Sequence, residues 1–457
     1  MYGFFYVNSY ISRIILVEFL IHCAIINLFI MAQTTTFTPN WSFSKKLYFR
    51  LSFCYLALYI IPFPLGNLPF SNYPYMAVFN FWKWITTLVA ENIFHIQNFK
   101  ILFNGSGDKT SDYIKLLSIA GLALIITFFW SILDRKRNNY NKLLQFFLVA
   151  LRYYLAYYML SYGMSKLFTN QFSSLSLFDL VKTYGQSSPM GLMWNFMEYS
   201  DTYTIFSGIS EIIGGVLLLF RRTTKLGALI TFGVMLNVFL MNVSYDIPVK
   251  LFSFHLMLIA FYILIPHLKS LINYFLLNKP IPPVQYDKYF NKRRWNITAL
   301  IFKTLFISYT VVKFSIKQVE RQKQYGKFAA LPALYGIYEV EKFTYNNNER
   351  LPLTTDSIRW KKLIIDKNSS LIINMDDTPK GVRHLVDSSN YALELTPYKK
   401  EMNYYYKFKY SQQDSILNLE GTYYQDTLKI RLIKQDHTQF PLLKRGFNWI
   451  NEYPYNR

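Results

Sequence analysis

The stretch Ser210–Ile230, SEIIGGVLLLFRRTTKLGALI, decides the fold of this chain. Its first half is apolar apart from one acid, Glu211. Arg221 and Arg222 open a short basic turn, and a second apolar run follows Gly227. Two apolar runs joined by a short basic hinge are the pattern of a helical hairpin in a bilayer. A span needs about 20 residues, and short basic loops stay in the cytoplasm.

The same reading extends outward. Apolar stretches at 47–63, 113–133, 143–165, 203–220, 226–243, 249–266 and 296–314 make seven expected spans. Composition agrees. Of 457 residues 52% are hydrophobic and 19% aromatic, against 17% charged, which argues against a soluble protein and against disorder. Two cysteines, Cys23 and Cys54, exclude a disulfide framework. Residues 1–329 carry a net +19 and residues 330–457 a net +3. A nucleic-acid binder clusters its charge on a soluble module. Here the excess sits in short loops between apolar runs, so the partner it implies is the lipid bilayer, not nucleic acid.

Loop charge sets the orientation. Lys45, Lys46 and Arg50, with the basic residues of 135–142, 221–225 and 269–294, put sixteen cations on one side. The alternate connections hold six: Lys83, Lys100, Lys109, Lys166, Lys182 and Lys250. The sixteen are therefore expected in the cytoplasm of a bacterial inner membrane, with residues 315–457 on the periplasmic side. Lys313, Lys317, Arg321, Lys323 and Lys327 weigh the other way. Residues 76–94, with Trp82 and Trp84, read as an interfacial helix. Residues 11–30 resemble a signal anchor but contain Arg13, Glu18 and His22, costly in lipid. The polar stretch after Met31 reads better as an N-terminus, with 1–30 lying upstream of the true start.

From Leu334 the pattern changes. Short β-rich runs at 335–345, 358–365, 369–375, 381–386, 391–396, 403–410, 414–422 and 426–434 alternate with Asn, Asp, Gly and Pro turns. Eight such strands predict a small antiparallel barrel or sandwich. The aromatic run 445–457 is expected to pack over one end of it. The fold class is thus an all-α membrane bundle followed by a small all-β domain. Its expected segments are 1–46, accessory spans in 47–142, a four-helix core in 143–268, a cytoplasmic loop and last span in 269–314, a linker in 315–333 and the β-rich domain in 334–457.

Ionisable residues inside spans need partners. Arg152 lies nine residues into the span starting near 143, and Glu211 eight residues into the neighbour starting near 203. Both are expected near mid-depth, as a buried ion pair. His255 and Asn237 come above them, and Lys166, Asn242, Asp246 and Lys250 ring the outer mouth. Two readings fit this polar column: a substrate, proton or quinone site, or a lock that fixes helix register. Other signals are weaker. NGSGD (104–108) has no strand before it and no Lys-Ser/Thr after it, so it reads as an outer turn, not a phosphate loop. The six histidines lack metal-ligand spacing. Tyr153, Tyr154, Tyr157 and Tyr158 read as core packing.

LRYYLAYYMLSYGMSKLF (151–168) and the hairpin at 210–230 resemble the DoxX family of four-helix membrane proteins. The shared elements are Arg152, Gly163 and Lys166 in the first helix, then Glu211, Gly214, Gly215, a leucine run, the basic turn and Gly227. The layout is similar to that of the longer Bacteroidetes members with a β-rich extension. The resemblance implies a redox- or quinone-associated membrane subunit without a metal cofactor of its own, working with a protein partner in a redox or envelope complex. The alternative is a non-enzymatic binding or assembly protein whose outer β-domain captures a lipid, peptide or envelope partner.

Overall fold

The computed structural model describes residues 40–68, 71–173, 175–281, 290, 292–398 and 405–456. The expectations for Arg13, Glu18, His22 and a start at Met31 lie outside the described residues. The helices are α1 Phe43–Ile60, α2 Asn72–Asn92, α3 Thr110–Leu133, α4 Asn141–Leu167, α5 Leu177–Val181, α6 Pro189–Tyr199, α7 Asp201–Leu219, α8 Thr224–Ser244, α9 Lys250–Leu264, α10 Leu268–Phe275, α11 Arg293–Gln324 and α12 Pro441–Lys444. The chain forms two compact units. The first holds the described residues up to Leu167 with Ile205–Ser315, and the second Phe168–Thr204 with the residues from Ile316 onward.

In the first unit α4, α7, α8 and α9 form the core. Among the described residues six helices are long and apolar enough to cross a membrane: α3, α4, α7, α8, α9 run on into α10, and α11. The expected seventh span, 47–63, is a helix but a short one. Lys45, Lys46 and Arg50 fall in its first eight residues. Arg50 is buried against the α3–α4 turn, donating to Tyr140 Oη (2.9 and 2.7 Å) and to the Asp134 carbonyl (2.9 Å). Tyr140 in turn donates to Asp134 (2.8 Å), which holds that carboxyl below its usual range. From Arg50 to Ile60 a helix rises about 15 Å, half of a hydrocarbon core of about 30 Å. Pro62 and Pro64 then follow, and proline cannot continue the hydrogen-bond ladder. Phe63 packs on Tyr154 and Tyr157 (ring centroids 5.3 and 5.5 Å), midway along α4. The chain still reaches the opposite rim, because Asp108 caps α9 and α3 runs back from there to Asp134.

The second unit is a closed barrel with a helical strap. Its strands are β1 Gly336–Tyr345, β2 Asn348–Glu349, β3 Trp360–Ile365, β4 Ser370–Asn374, β5 Pro379–Asp387, β6 Ala392–Pro397, β7 Tyr406–Gln413, β8 Ile416–Tyr423 and β9 Asp426–Gln435. The order β1-β3-β4-β5-β6-β7-β8-β9 is antiparallel throughout and closes by pairing β9 with β1, from Ile337 opposite Gln435 to Tyr345 opposite Leu428. Of barrel and sandwich, the barrel is what forms. Closure leaves eight strands without an edge, and β2 is a short hairpin addition to β1. The period of two sorts the side chains. Tyr406, Phe408 and Tyr410 point in, while Lys407 and Lys409 point out. Trp360 sits against Phe343, Tyr406 and Phe408. Eight strands leave room for side chains to fill the interior, and Leu363, Leu393, Leu419 and Leu432 do so. Buried Arg359 donates to the carbonyls of Val340, Glu341, Arg350 and Trp360. A Cβ on Gly421 would lie 1.8 Å from the Lys407 carbonyl oxygen, so β7 and β8 can pair only around a glycine.

The strap is residues 168–204, a stretch in which the sequence shows no apolar span. Leu177 is buried against Ile337 and Ile364, and its amide donates to buried Asp366 (2.9 Å). Lys327 forms an ion pair with Asp201. The expected cap at 445–457 is not one: Phe447 is 77% and Trp449 90% exposed, and Arg445 pairs locally with Asn451 and Tyr455.

Glu198 on α6 generates a pH prediction. Burial, helped by the Asp179 charge, pushes its carboxyl up to about 7. The folded protein therefore holds a proton that the unfolded chain gives up above about 4.5. Stability from this group is full below that value and is lost as pH rises towards 7. Because the residue is partly exposed, the loss is on the order of 1 kcal/mol. Glu198→Gln should flatten this part of the thermal-unfolding profile between pH 4.5 and 7, and an unchanged slope in the variant would refute the assignment.

Candidate functional site

The expected polar column resolves into separate groups, set by helix register. Helices α4 and α7 run antiparallel and touch at Gly163 and Gly208. A Cβ on either would lie 2.7 Å from the other's carbonyl oxygen. Small residues allow such close approach between membrane helices. This contact places Lys166 level with Glu211, and the two form a buried ion pair. Arg152 lies further along α4, beside the end of α7, where its Nε and Nη2 donate to the Leu218 carbonyl (3.0 and 2.9 Å). The expected Arg152–Glu211 pair is therefore corrected to Lys166–Glu211. The two helices start at opposite faces of the membrane and differ in length, 27 and 19 residues, so similar counts from their starts do not bring two residues to one level. Glu211 Oε2 is buried and accepts no hydrogen bond.

His255 belongs to another group. Its Nδ1 lies 2.6 Å from the Leu251 carbonyl and its Nε2 2.7 Å from Tyr55 Oη. A carbonyl only accepts, so Nδ1 carries the proton and Nε2 accepts from the Tyr55 hydroxyl. Tyr59 stacks on the imidazole at 4.0 Å and 11°. Both tyrosines come from α1, so the short helix that stops at mid-depth clamps His255. Sequence reading missed this pair, although Tyr55 and Tyr59 are four apart and share a helix face.

The remaining expected residues divide again. Asn242 donates to Ser253 Oγ (3.0 Å) between α8 and α9. Asn237 is exposed and reaches Met241 on its own helix, so it lies outside every polar group. Asp246 and Lys250 pair at the rim (2.7 Å), where the hydrogen bond from Lys250, and then its charge, hold the Asp246 carboxyl below its usual range. Asp108, the last residue of NGSGD, accepts from the backbone amides of Lys250 (2.7 Å) and Leu251 (3.0 Å). That turn is a cap for the buried end of α9.

A cavity of about 340 Å³ occupies the space that the missing upper half of α1 would fill. Its walls are Tyr59 and the break at 60–63, Lys115 and Ile119 of α3, Tyr154 and Tyr158 of α4, and Phe252 and His255 of α9, with Asp108 and Asp112 at the rim. The stripe at 153–158 is thus partly core and partly cavity wall. Non-helical backbone at membrane depth is tolerated where it is buried in protein or lines a cavity, and residues 60–66 fit that rule.

The DoxX family profile matches residues 147–242, from α4 through α8. An uncharacterised protein of Bacillus subtilis (strain 168), YwoB, is 34% identical over 113 residues, which is 25% of this chain and 71% of that protein. No solved structure matches the chain. A helical membrane core built around the α4–α7 contact, with this coverage, defines the class: the chain is a multi-pass membrane protein. It belongs to the DoxX-like family.

The Lys166–Glu211 pair gives a direct prediction. Lys166→Met leaves Glu211 buried without its cation and should cost about 3–5 kcal/mol. Lys166→Met/Glu211→Gln should recover most of that loss in detergent thermal unfolding. A double variant as unstable as the single one would show that the pair does not act as a charge lock.

Proposed function

We propose that the helical unit is a redox-associated membrane subunit that holds a quinone-type ring in the cavity beside α1. The observation that carries this reading is His255, hydrogen-bonded to Tyr55 behind it, in the wall of a cavity that Tyr59, Phe63, Tyr154, Tyr158 and Phe252 also line. A quinone ring needs flat apolar walls and hydrogen bonds to its carbonyl oxygens. Tyr59, Tyr154 and Tyr158 supply rings with hydroxyl groups at their ends. The imidazole, held by Leu251 in one tautomer, can take up and return a proton through Tyr55. Electrons would come from a protein partner in a redox complex.

The charge distribution supports an orientation. The basic turns after α3 and α7 favour the cytoplasm of a bacterial inner membrane. The strap between α4 and α7 leaves the opposite rim and belongs to the same compact unit as the barrel. That supports a periplasmic barrel. A second reading, assembly through the outer domain, is favoured by the exposed Phe447, Trp449, Ile450 and Tyr453. The filled barrel interior puts any partner on the outside surface.

The test is extraction. Full-length protein purified in mild detergent without additions should carry about one quinone per chain, identified by mass spectrometry. His255→Leu and Tyr59→Ala should lose it by roughly tenfold while remaining monodisperse. Bulk lipid alone in the wild type would overturn the quinone reading and leave the assembly role.

A further inference from the structure

We infer that the cytoplasmic half of the helical unit holds a second site, for a membrane amphiphile with an anionic headgroup. The cavity has a volume of about 450 Å³ and lies between α4, the end of α7 and the first half of α11. Arg152, Arg221 and Lys303 line it, and none of its described lining residues is acidic. Arg152 is 6% exposed and anchored on the Leu218 carbonyl. Lys303 lies 4.5 Å over the Phe220 ring and lines the same cavity as Arg152. Like charges facing one space of low dielectric raise each other's energy, and an anion between them relieves that cost.

The rest of the wall is hydrocarbon in character: Phe146, Val149, Leu219, Leu300, Phe302 and Phe306. A small aqueous anion gains nothing from such a wall, whereas an acyl or prenyl chain does. The outward side of α11 is apolar too, with Ile301 54% and Leu305 63% exposed. A chain can therefore enter from the bilayer. Arg221, in the turn after α7, marks the headgroup level, and Arg152 and Lys303 lie deeper. The site shares Phe63 with the cavity beside α1 but differs from it in ligand. It takes an anion, whereas a quinone ring is neutral.

The test uses the delipidated full chain in neutral detergent, titrated with dioleoyl phosphatidylglycerol, dioleoyl phosphatidylcholine or inorganic phosphate and read by native mass spectrometry. Phosphatidylglycerol should bind at one per chain, about tenfold or more tighter than phosphatidylcholine. Lys303→Gln, which leaves the Arg152–Leu218 contact intact, should remove most of that preference and leave phosphatidylcholine binding unchanged. Arg152→Gln should do the same where it folds. Equal binding of the two lipids, or a preference that survives Lys303→Gln, overturns the site. Displacement of phosphatidylglycerol by millimolar phosphate overturns the requirement for a hydrocarbon chain.

Discussion

The backbones of α4 and α7 meet at Gly163 and Gly208, and the rest of the helical unit depends on that contact. Helices gain little from the hydrophobic effect inside a bilayer, because lipid is as apolar as leucine. Close packing and polar pairing set their register instead. With no side chain at the crossing, each helix approaches the other's carbonyl. That register brings Lys166 to Glu211 and Arg152 to the end of α7. One turn of slip would carry each cation about 5 Å from its acceptor, so the glycines and the charges enforce one alignment. Gly227, whose Cβ would lie 2.7 Å from the Leu218 amide nitrogen, repeats the device between α7 and α8.

The second constraint is that peptide groups inside a membrane must be satisfied within the protein. Helix α1 breaks that pattern at Ile60 and is supported by its neighbours. Arg50 pins its start to the α3–α4 turn, Tyr55 and Tyr59 clamp His255, and Phe63 fills the space beside Tyr154. Its part from Arg50 to Ile60 is half a span by length but is fixed at three levels. The cavity beyond its end follows from its shortness. The same break that leaves a hole also supplies the tyrosines that stack on and hydrogen-bond to the histidine.

The barrel was legible in the sequence nearly strand by strand, because alternation such as YKFKY at 406–410 states which face is buried. The apolar spans were legible for a similar reason, since length and hydropathy suffice to mark them. Register was not. Hydropathy has no term for which residue of one helix meets which residue of the next. Asn237 shows the cost: five residues from Asn242, it sits about 140° around the helix, so one buried asparagine forces the other outward. The break in α1 was hidden because Ile61, Pro62 and Phe63 are as apolar as a helix interior. The signal was Pro62 and Pro64, two prolines in three residues. The strap at 168–204 gave no periodic pattern, and it docks through one short stretch, Leu177 with Phe178, Leu180 and Val181, against the barrel wall.

The two readings of the buried charges need not compete, because the structure separates them in space. Lys166 and Glu211 lie in the α4–α7 seam, where the glycine contact makes any change of alignment costly. His255 lies across the bundle, beside open volume, with one nitrogen fixed by a backbone carbonyl and the other facing a phenol. A lock needs a tight seam and no space. A ligand site needs space and a group whose proton can move. The seam has the first set of properties and the α1–α9 side has the second. Among the described residues no donor reaches Glu211 Oε2, although the opposite oxygen is paired. A carboxylate satisfied on one side only is costly to bury, so Lys166 is the partner whose loss the seam tolerates least.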